Sequence, residues 1–152
     1  MQTNERSQYL QKLLRKVTKL SNQVYKYQST PRTYGTEEKL YMREAHFVDS
    51  LAWGEMDMGH VAERLEVTSG AASQIAARLE KKGYIVRKKD PTDSRHITCI
   101  LTEKARSVVD CHRETDKKGY EKFGEIMSGF SQEELEVCDR FLNTVQQLYD
   151  LA

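Results

Sequence analysis

Residues 88–102, KKDPTDSRHITCILT, group basic side chains around a turn that separates two apolar runs. Such cations bind polyanions, and an arginine at a hairpin tip fits the narrow, strongly negative minor groove of A·T-rich DNA. Asp93 precedes Arg95 by two residues, close enough to orient its guanidinium by a charge-assisted hydrogen bond. The alternative is a surface turn closed by an Asp93–Arg95 ion pair of little energetic value. The cations expected to lie along the phosphates are Arg87, Lys88 and Lys89.

The segment before this turn predicts a helix with two chemically different faces. Thr68 is a good N-cap and Gly83 a good terminator. At about 100° per residue, the buried stripe consists of Ala72, Ile75, Ala76 and Leu79. The opposite face is small near its start and polar or basic farther along. A helix that enters the major groove needs this arrangement, because small residues allow close approach and polar groups read base edges.

Individual roles follow from the side chains of that free face. We expect Gln74 to bridge an adenine, and Arg78 to pair with a guanine or a phosphate. Backbone N–H groups at the helix start can hold a phosphate. The alternative is an ordinary amphipathic helix with a solvated polar side. The predicted DNA-binding residues of this segment are Thr68, Ser69, Gly70, Ser73, Gln74 and Arg78.

The net charge of +1 conceals an uneven distribution. Residues 78–106 contain nine basic and four acidic residues, a local charge of +5 that leaves −4 for the remainder. A basic centre between acidic flanks is typical of a protein that binds a polyanion. A solvated surface of mixed charge is the alternative.

Apolar periodicity supplies the elements that would position these residues. The 152 residues favour one domain. Stripes with intervals of three and four predict a long first helix, a second helix from about Leu40 to Trp53, and a third that begins near Asp57. Two short strands rich in Ile, Val and Thr follow the fourth helix. Thr102 is expected to cap a fifth helix toward Met127, and Ser131 with Glu134 fits the capping box of the last helix.

Other chemistry is weakly represented. The three cysteines, an odd number at no metal-like spacing, favour a reducing cytoplasm, and no signal peptide or membrane span is predicted. Cys138 falls in the apolar stripe of the last helix and is expected in the core. Cys111 and His112 diverge by about 100° on a helix and cannot form a nucleophile–base pair. The chain is therefore not expected to be an enzyme, and no cofactor or metal site is assigned.

Residues 61–105, VAERLEVTSGAASQIAARLEKKGYIVRKKDPTDSRHITCILTEKA, resemble the winged-helix core of the MarR family of bacterial transcriptional regulators. The family's wing signature resembles Asp-x-x-Asp-x-Arg followed by a strand that ends in Leu-Thr. Its counterparts here are Asp90, Asp93, Arg95, Leu101 and Thr102. The resemblance implies a mainly α (α+β) fold, a winged helix-turn-helix with a two-stranded β wing and long N- and C-terminal dimerisation helices.

The resemblance also implies an organisation and a function. Residues 1–152 would form a single MarR-like protomer, with a DNA-binding lobe over 38–105 and dimerisation helices over 6–30 and 106–152. The homodimer would bind double-stranded DNA at a pseudo-palindromic operator. It would act as a repressor released by a small aromatic or amphipathic effector.

Several alternatives remain open at this point. A redox sensor would use Cys111, and a metal sensor would use His112 with Asp116 on one helical face. A winged helix that binds protein is a third alternative, against which the +5 segment argues. Steep salt dependence would distinguish DNA binding from protein docking.

Overall fold

The computed structural model describes residues 2–89 and 96–150, which include six α-helices joined by short strands and turns. The chain divides into two compact units, Met1–Arg113 and Glu114–Ala152. The helices are α1 (Gln2–Ser29), α2 (Met42–Ser50), α3 (Met58–Arg64), α4 (Ser69–Lys81), α5 (Arg106–Met127) and α6 (Gln132–Asp150). The predicted mainly α architecture is confirmed.

The strands form two small antiparallel sheets. β1 (Arg32–Thr33) pairs with β2 (Lys39–Leu40). The other sheet has the order β3–β5–β4, formed by Met56–Asp57, Ile97–Leu101 and Ile85–Lys89. Its β4–β5 pair is the predicted two-stranded ribbon. The sequence did not predict β3, which is only two residues long and carries no alternating pattern.

The core of the first unit lies where α2, α3 and α4 meet the three-stranded sheet. The predicted stripe of α4 supplies Ala72, Ile75, Ala76 and Leu79, all of which are buried. Ile75, Ala76 and Leu79 belong to one apolar cluster with Phe47 and Val48 of α2, Val61 of α3, Tyr84, and Ile85 of β4. Burial of this stripe fixes which side of α4 remains in solvent.

Local capping chemistry sets the ends of the helix-turn-helix. The Asp57 carboxylate accepts hydrogen bonds from the N–H groups of Gly59 and His60 at the start of α3. Between α3 and α4, Glu66 adopts a left-handed φ of 52°. Gly83 ends α4 with a φ of 76°, a conformation that favours glycine. The predicted start of α3 near Asp57 and the predicted end of α4 at Gly83 are confirmed.

The prediction for Thr102 was wrong. Its hydroxyl does not cap the following 3₁₀ turn, Glu103–Ala105, and instead donates to the carbonyl oxygens of Gly83 at 2.7 Å and Tyr84 at 3.1 Å. Because those carbonyls lie at the start of β4, the threonine ties the end of β5 to it.

The second unit contains the C-terminal part of α5 and all of α6. The capping box before α6 is confirmed, since Ser131 N–H donates to the Glu134 carboxylate at 2.9 Å and Glu134 N–H donates to Ser131 Oγ at 3.3 Å. Cys138 is exposed, so its predicted place in the core was wrong. A helical apolar stripe shows that residues share a face, but not that the same chain covers that face. None of the described helices is both long and apolar enough to cross a membrane.

Candidate nucleic-acid interface

The solvent side of α4 presents a row of small and polar residues. Ser69, Gly70, Ser73 and Gln74 are all exposed, on the side away from the buried stripe. A Cβ built on Gly70 would meet no heavy atom within 4 Å. The first turn of α4 therefore leaves room for another molecule to approach its backbone closely.

The start of α4 also offers unsatisfied donors. Thr68 caps the helix, and its hydroxyl oxygen accepts a hydrogen bond from Ala71 N–H at 3.2 Å. The N–H groups of Ser69 and Gly70 open the helix and have no intrahelical acceptor. With the positive end of the helix dipole, such groups favour an anion.

Arg78 and Lys82, toward the C-terminal end of α4, are held by a buried carboxylate. Glu44 of α2 is 0% exposed and accepts hydrogen bonds from Arg78 Nε at 3.2 Å and Lys82 Nζ at 3.0 Å. Its Oε2 also accepts from Tyr41 N–H at 3.0 Å. Arg78 remains 51% exposed. Glu44 thus joins α2 to α4 and restrains the guanidinium that the sequence assigned to DNA.

Arg87 is likewise occupied within the protein. Its Nε and Nη2 donate to Glu80 Oε2 at 2.8 Å and 2.6 Å, and its backbone N–H donates to Glu80 Oε1 at 3.1 Å. The guanidinium lowers the pKa of the Glu80 carboxyl, and Glu80 raises the pKa of Arg87. This pair locks the base of the ribbon to α4. The neighbouring Lys88 and Lys89 are exposed at the end of β4.

The remaining predicted contacts, Asp93 and Arg95, lie outside the described residues. Their roles at the tip of the wing stay predictions. Lys81 lies on the exposed face of α4 and was not among the assigned residues.

Sequence reasoning also missed the two carboxylates that organise the interface. Glu44 shares a helical spacing of four with buried Val48, so an acidic residue occupies an apolar stripe. A buried acid needs a partner, and that signal was readable. Its partners lie 34 and 38 residues away in the chain, and their identity was not readable.

A histidine cluster lies elsewhere in the first unit. The rings of His46 and His112 have centroids 4.8 Å apart, and Tyr34 meets His112 edge-on at 5.9 Å. His112 is buried. No group of three or more side chains suited to a metal ion occurs among residues 2–89 and 96–150. The predicted metal pair, His112 with Asp116, is therefore not part of such a group among these residues, and two imidazoles fall short of the three or four protein ligands that zinc requires.

The cysteines give little support to a redox site. Burial raises the pKa of the Cys99 thiol to about 11, which keeps it protonated and unreactive near neutral pH. Cys111 is partly buried and Cys138 is exposed. None of these three lies on α1, α4 or β4.

Comparison with known proteins finds similarity to winged-helix regulators. The MarR family model matches residues 49–96. The chain is 26% identical over 98 residues to YcgE of Bacillus subtilis, an uncharacterized HTH-type transcriptional regulator, a match that covers 64% of this chain and 61% of YcgE. Other curated relatives are also transcriptional regulators, which supports the prediction that the chain is not an enzyme.

Two solved structures share the fold over nearly the whole chain. ZitR of Lactococcus lactis, a zinc-responsive MarR family member, superimposes with a TM-score of 0.75 at 20% identity, covering 93% of this chain and 99% of ZitR. FabT of Streptococcus pneumoniae, solved in complex with DNA, gives a TM-score of 0.65 at 28% identity, covering 94% of this chain and 99% of FabT. The predicted winged helix-turn-helix fold is confirmed.

Proposed function

We propose that the chain is a member of the MarR family and acts as a sequence-specific, double-stranded-DNA-binding transcriptional regulator, a homodimeric repressor released by a small-molecule effector. The observation that carries the proposal is the exposed row Ser69, Gly70, Ser73 and Gln74 on α4, backed by a fully buried stripe. FabT, which is 28% identical, has been solved with DNA and supports the same class of partner.

In this proposal α4 lies in the major groove. Gly70 and Ser73 are small enough for the helix to approach the bases, and the Gln74 amide can pair with adenine N6 and N7. The N–H groups at the helix start bind a phosphate together with Thr68 and Ser69. Lys88 and Lys89 lie along the neighbouring backbone.

The ion pairs narrow the roles that the sequence suggested for these two arginines, a guanine or a phosphate for Arg78 and the phosphates for Arg87. Arg78 uses Nε for Glu44 and retains its terminal N–H groups for a phosphate. Arg87 donates from Nε and Nη2 to Glu80 and chiefly braces the ribbon. Arg95, which follows Asp93 by two residues in the sequence, remains the residue proposed for the minor groove.

Homodimerisation is supported by apolar surface that the protomer leaves open in each unit. On α1, Leu10, Leu20 and Val24 are exposed. Between 114 and 150, the exposed large apolar residues are Tyr120, Phe123, Ile126, Phe130, Val137, Leu142, Leu148 and Tyr149. A two-fold dimer would place its recognition helices on half-sites about 34–36 Å apart, which requires a pseudo-palindromic operator.

The effector is proposed to be a small aromatic or amphipathic compound. The Tyr34, His46 and His112 cluster brings aromatic and polar groups together, and because Tyr34 and His112 are buried, they would have to move to meet a ligand of that class. The described residues give less support to the redox and metal alternatives. Burial raises the pKa of the Cys99 thiol, and no group of three or more side chains suited to a metal ion occurs among residues 2–89 and 96–150.

Selection of bound genomic fragments, followed by electrophoretic binding assays, tests the proposal. We expect Gln74→Ala to weaken operator binding by about tenfold or more, since a bidentate base contact is worth about 1–3 kcal/mol. Gln132→Ala, an exposed glutamine on α6, serves as the matched control and should bind like the wild type. Failure to enrich any duplex, or equal affinities for both variants, would contradict the proposed reading of DNA by α4.

A further inference from the structure

Helix α1 is the most basic helix of the described chain, and no role is yet attached to that charge. It holds six basic residues and one acidic residue, Glu5. The net charge of −4 outside residues 78–106 is therefore unevenly distributed. The acidic flank expected on the N-terminal side is absent. At 3.6 residues per turn, five cations fall within about 100° of arc. This basic stripe consists of Lys12, Arg15, Lys16, Lys19 and Lys26.

The charges of the basic stripe are not neutralised within the protomer. All five side chains are exposed, and none forms an ion pair with a carboxylate among the described residues. Exposed cations elsewhere do have local partners, such as Lys118 with Glu114 at 3.0 Å. Within the stripe, Lys12 and Lys16 repel each other at a spacing of four. A surface that bears such repulsion is suited to an anionic partner.

Dimerisation through α1 would not cover the basic stripe. The apolar residues of α1 lie on the opposite side of the helix, where Leu13, Leu14 and Val17 are already half-buried. A partner helix that packs on this apolar side leaves the cations in solvent. A dimer that covers this apolar side leaves none of it for insertion into a bilayer, which argues against a membrane surface.

We propose that the basic stripe of α1 is a second phosphate-binding surface, which contacts duplex DNA outside the half-site read by α4. The last turn of α1 supplies Tyr25 and Gln28 to a cleft of about 320 Å³ that Gln74 and Arg78 of α4 also line. The stripe begins next to that turn at Lys26, on the side of α1 turned away from the cleft, and extends about 21 Å along the helix to Lys12. Duplex DNA carries one charge per about 1.7 Å of axis, so several phosphates fall within that length. The proposal rests on the proposed function of α4.

The experiment compares two duplexes, the selected operator of about 20 base pairs and the same operator embedded in a fragment three times as long. The stripe variant carries Lys12→Gln, Arg15→Gln, Lys16→Gln and Lys19→Gln. The control variant carries Lys117→Gln, Lys118→Gln, Lys122→Gln and Arg140→Gln, the same charge change between 114 and 150. Circular dichroism and sedimentation establish that both variants keep the helix content and oligomeric state of the wild type.

On the long fragment, log affinity should decrease less steeply with log salt for the stripe variant than for the wild type. The magnitude of the slope should be smaller by about 0.9 per lost phosphate contact, and so by about 2 to 4 per protomer. The short duplex should show little difference, and the control variant should follow the wild type on both. Equal slopes for all three proteins, or an equal fall in the control, would overturn the proposal while the function of α4 stands. If the stripe variant loses binding to phosphatidylglycerol vesicles but not to DNA, the stripe binds a membrane and the proposal is overturned. A wild type that binds neither duplex would refute the function of α4 and this proposal with it.

Discussion

Removal of the Glu44 carboxylate should destabilise the protein more than removal of an exposed ion pair does. Its side chain is 0% exposed and accepts hydrogen bonds from Tyr41 N–H, Arg78 Nε and Lys82 Nζ at 3.0, 3.2 and 3.0 Å. Glu44→Ala removes all three acceptor contacts and leaves two cations without their shared partner. Glu44→Gln keeps one carbonyl oxygen and removes the charge.

The magnitude follows from how far the stranded cations can reach water. Breaking a buried ion pair by deleting one partner costs about 3–5 kcal/mol when the other partner stays buried. Arg78 and Lys82 are 51% and 28% exposed, so both can regain part of their hydration. We therefore expect about 2–3 kcal/mol for Glu44→Ala and about 1–2 kcal/mol for Glu44→Gln. At this chain length the alanine variant should melt roughly 5–10 °C lower.

Urea and thermal unfolding measure the effect, and Asp49→Ala on the same helix is the matched control. Asp49 pairs with Arg113 at 2.7 Å, but the two side chains are 26% and 43% exposed. Such a pair contributes about 1 kcal/mol or less. If Glu44→Ala costs no more than Asp49→Ala, then burial does not decide the strength of these pairs, and Glu44 does not secure α4.

Two further substitutions separate folding from DNA binding and test the pH response. Gly70→Ala should leave stability unchanged or raise it by about 0.5 kcal/mol, since its Cβ meets nothing and alanine favours helix, while operator affinity falls; unchanged affinity would show that DNA does not approach there. Asp57 raises the pKa of His60, so their pair stabilises the protein below about pH 6.5 and loses that contribution as pH rises through the raised value. In His60→Gln, the urea midpoint should vary less with pH across this range. A midpoint that still falls as strongly with rising pH would show that other groups cause the pH dependence.

The parts of the site that the sequence predicted correctly depend on short-range rules. Thr68 marks the start of α4 and Gly83 marks its end, because capping and left-handed termination both act within one helical turn. The buried stripe follows from 3.6-residue periodicity. Exposure of Ser73 and Gln74 is the complement of that stripe, and so the solvent-exposed face of α4 could be named from the sequence alone.

The parts that the sequence did not predict depend on contacts between distant segments. No feature of the sequence around Glu44 identifies Arg78, 34 residues away, as its partner. Thr102 has the residue type of a helix cap, but carbonyl oxygens at the start of β4 compete for its hydroxyl. Cys138 has the spacing of a core residue, yet the protomer leaves it exposed. In each case a local pattern fixed the geometry, and a tertiary neighbour or its absence decided the environment.

The ion pairs change which cations can account for electrostatic affinity. Counting charge along the sequence treats Arg78 and Arg87 as equivalent to Lys88 and Lys89. However, a guanidinium held by a carboxylate brings little net charge to a phosphate, because counterion release depends on the charge that the DNA meets. In the proposed complex Arg78 would therefore add only a weakened phosphate contact and Arg87 would chiefly brace the ribbon, whereas the exposed lysines would carry most of the salt dependence. This division favours a second source of positive charge for tight binding, and the described chain concentrates unpaired cations on α1.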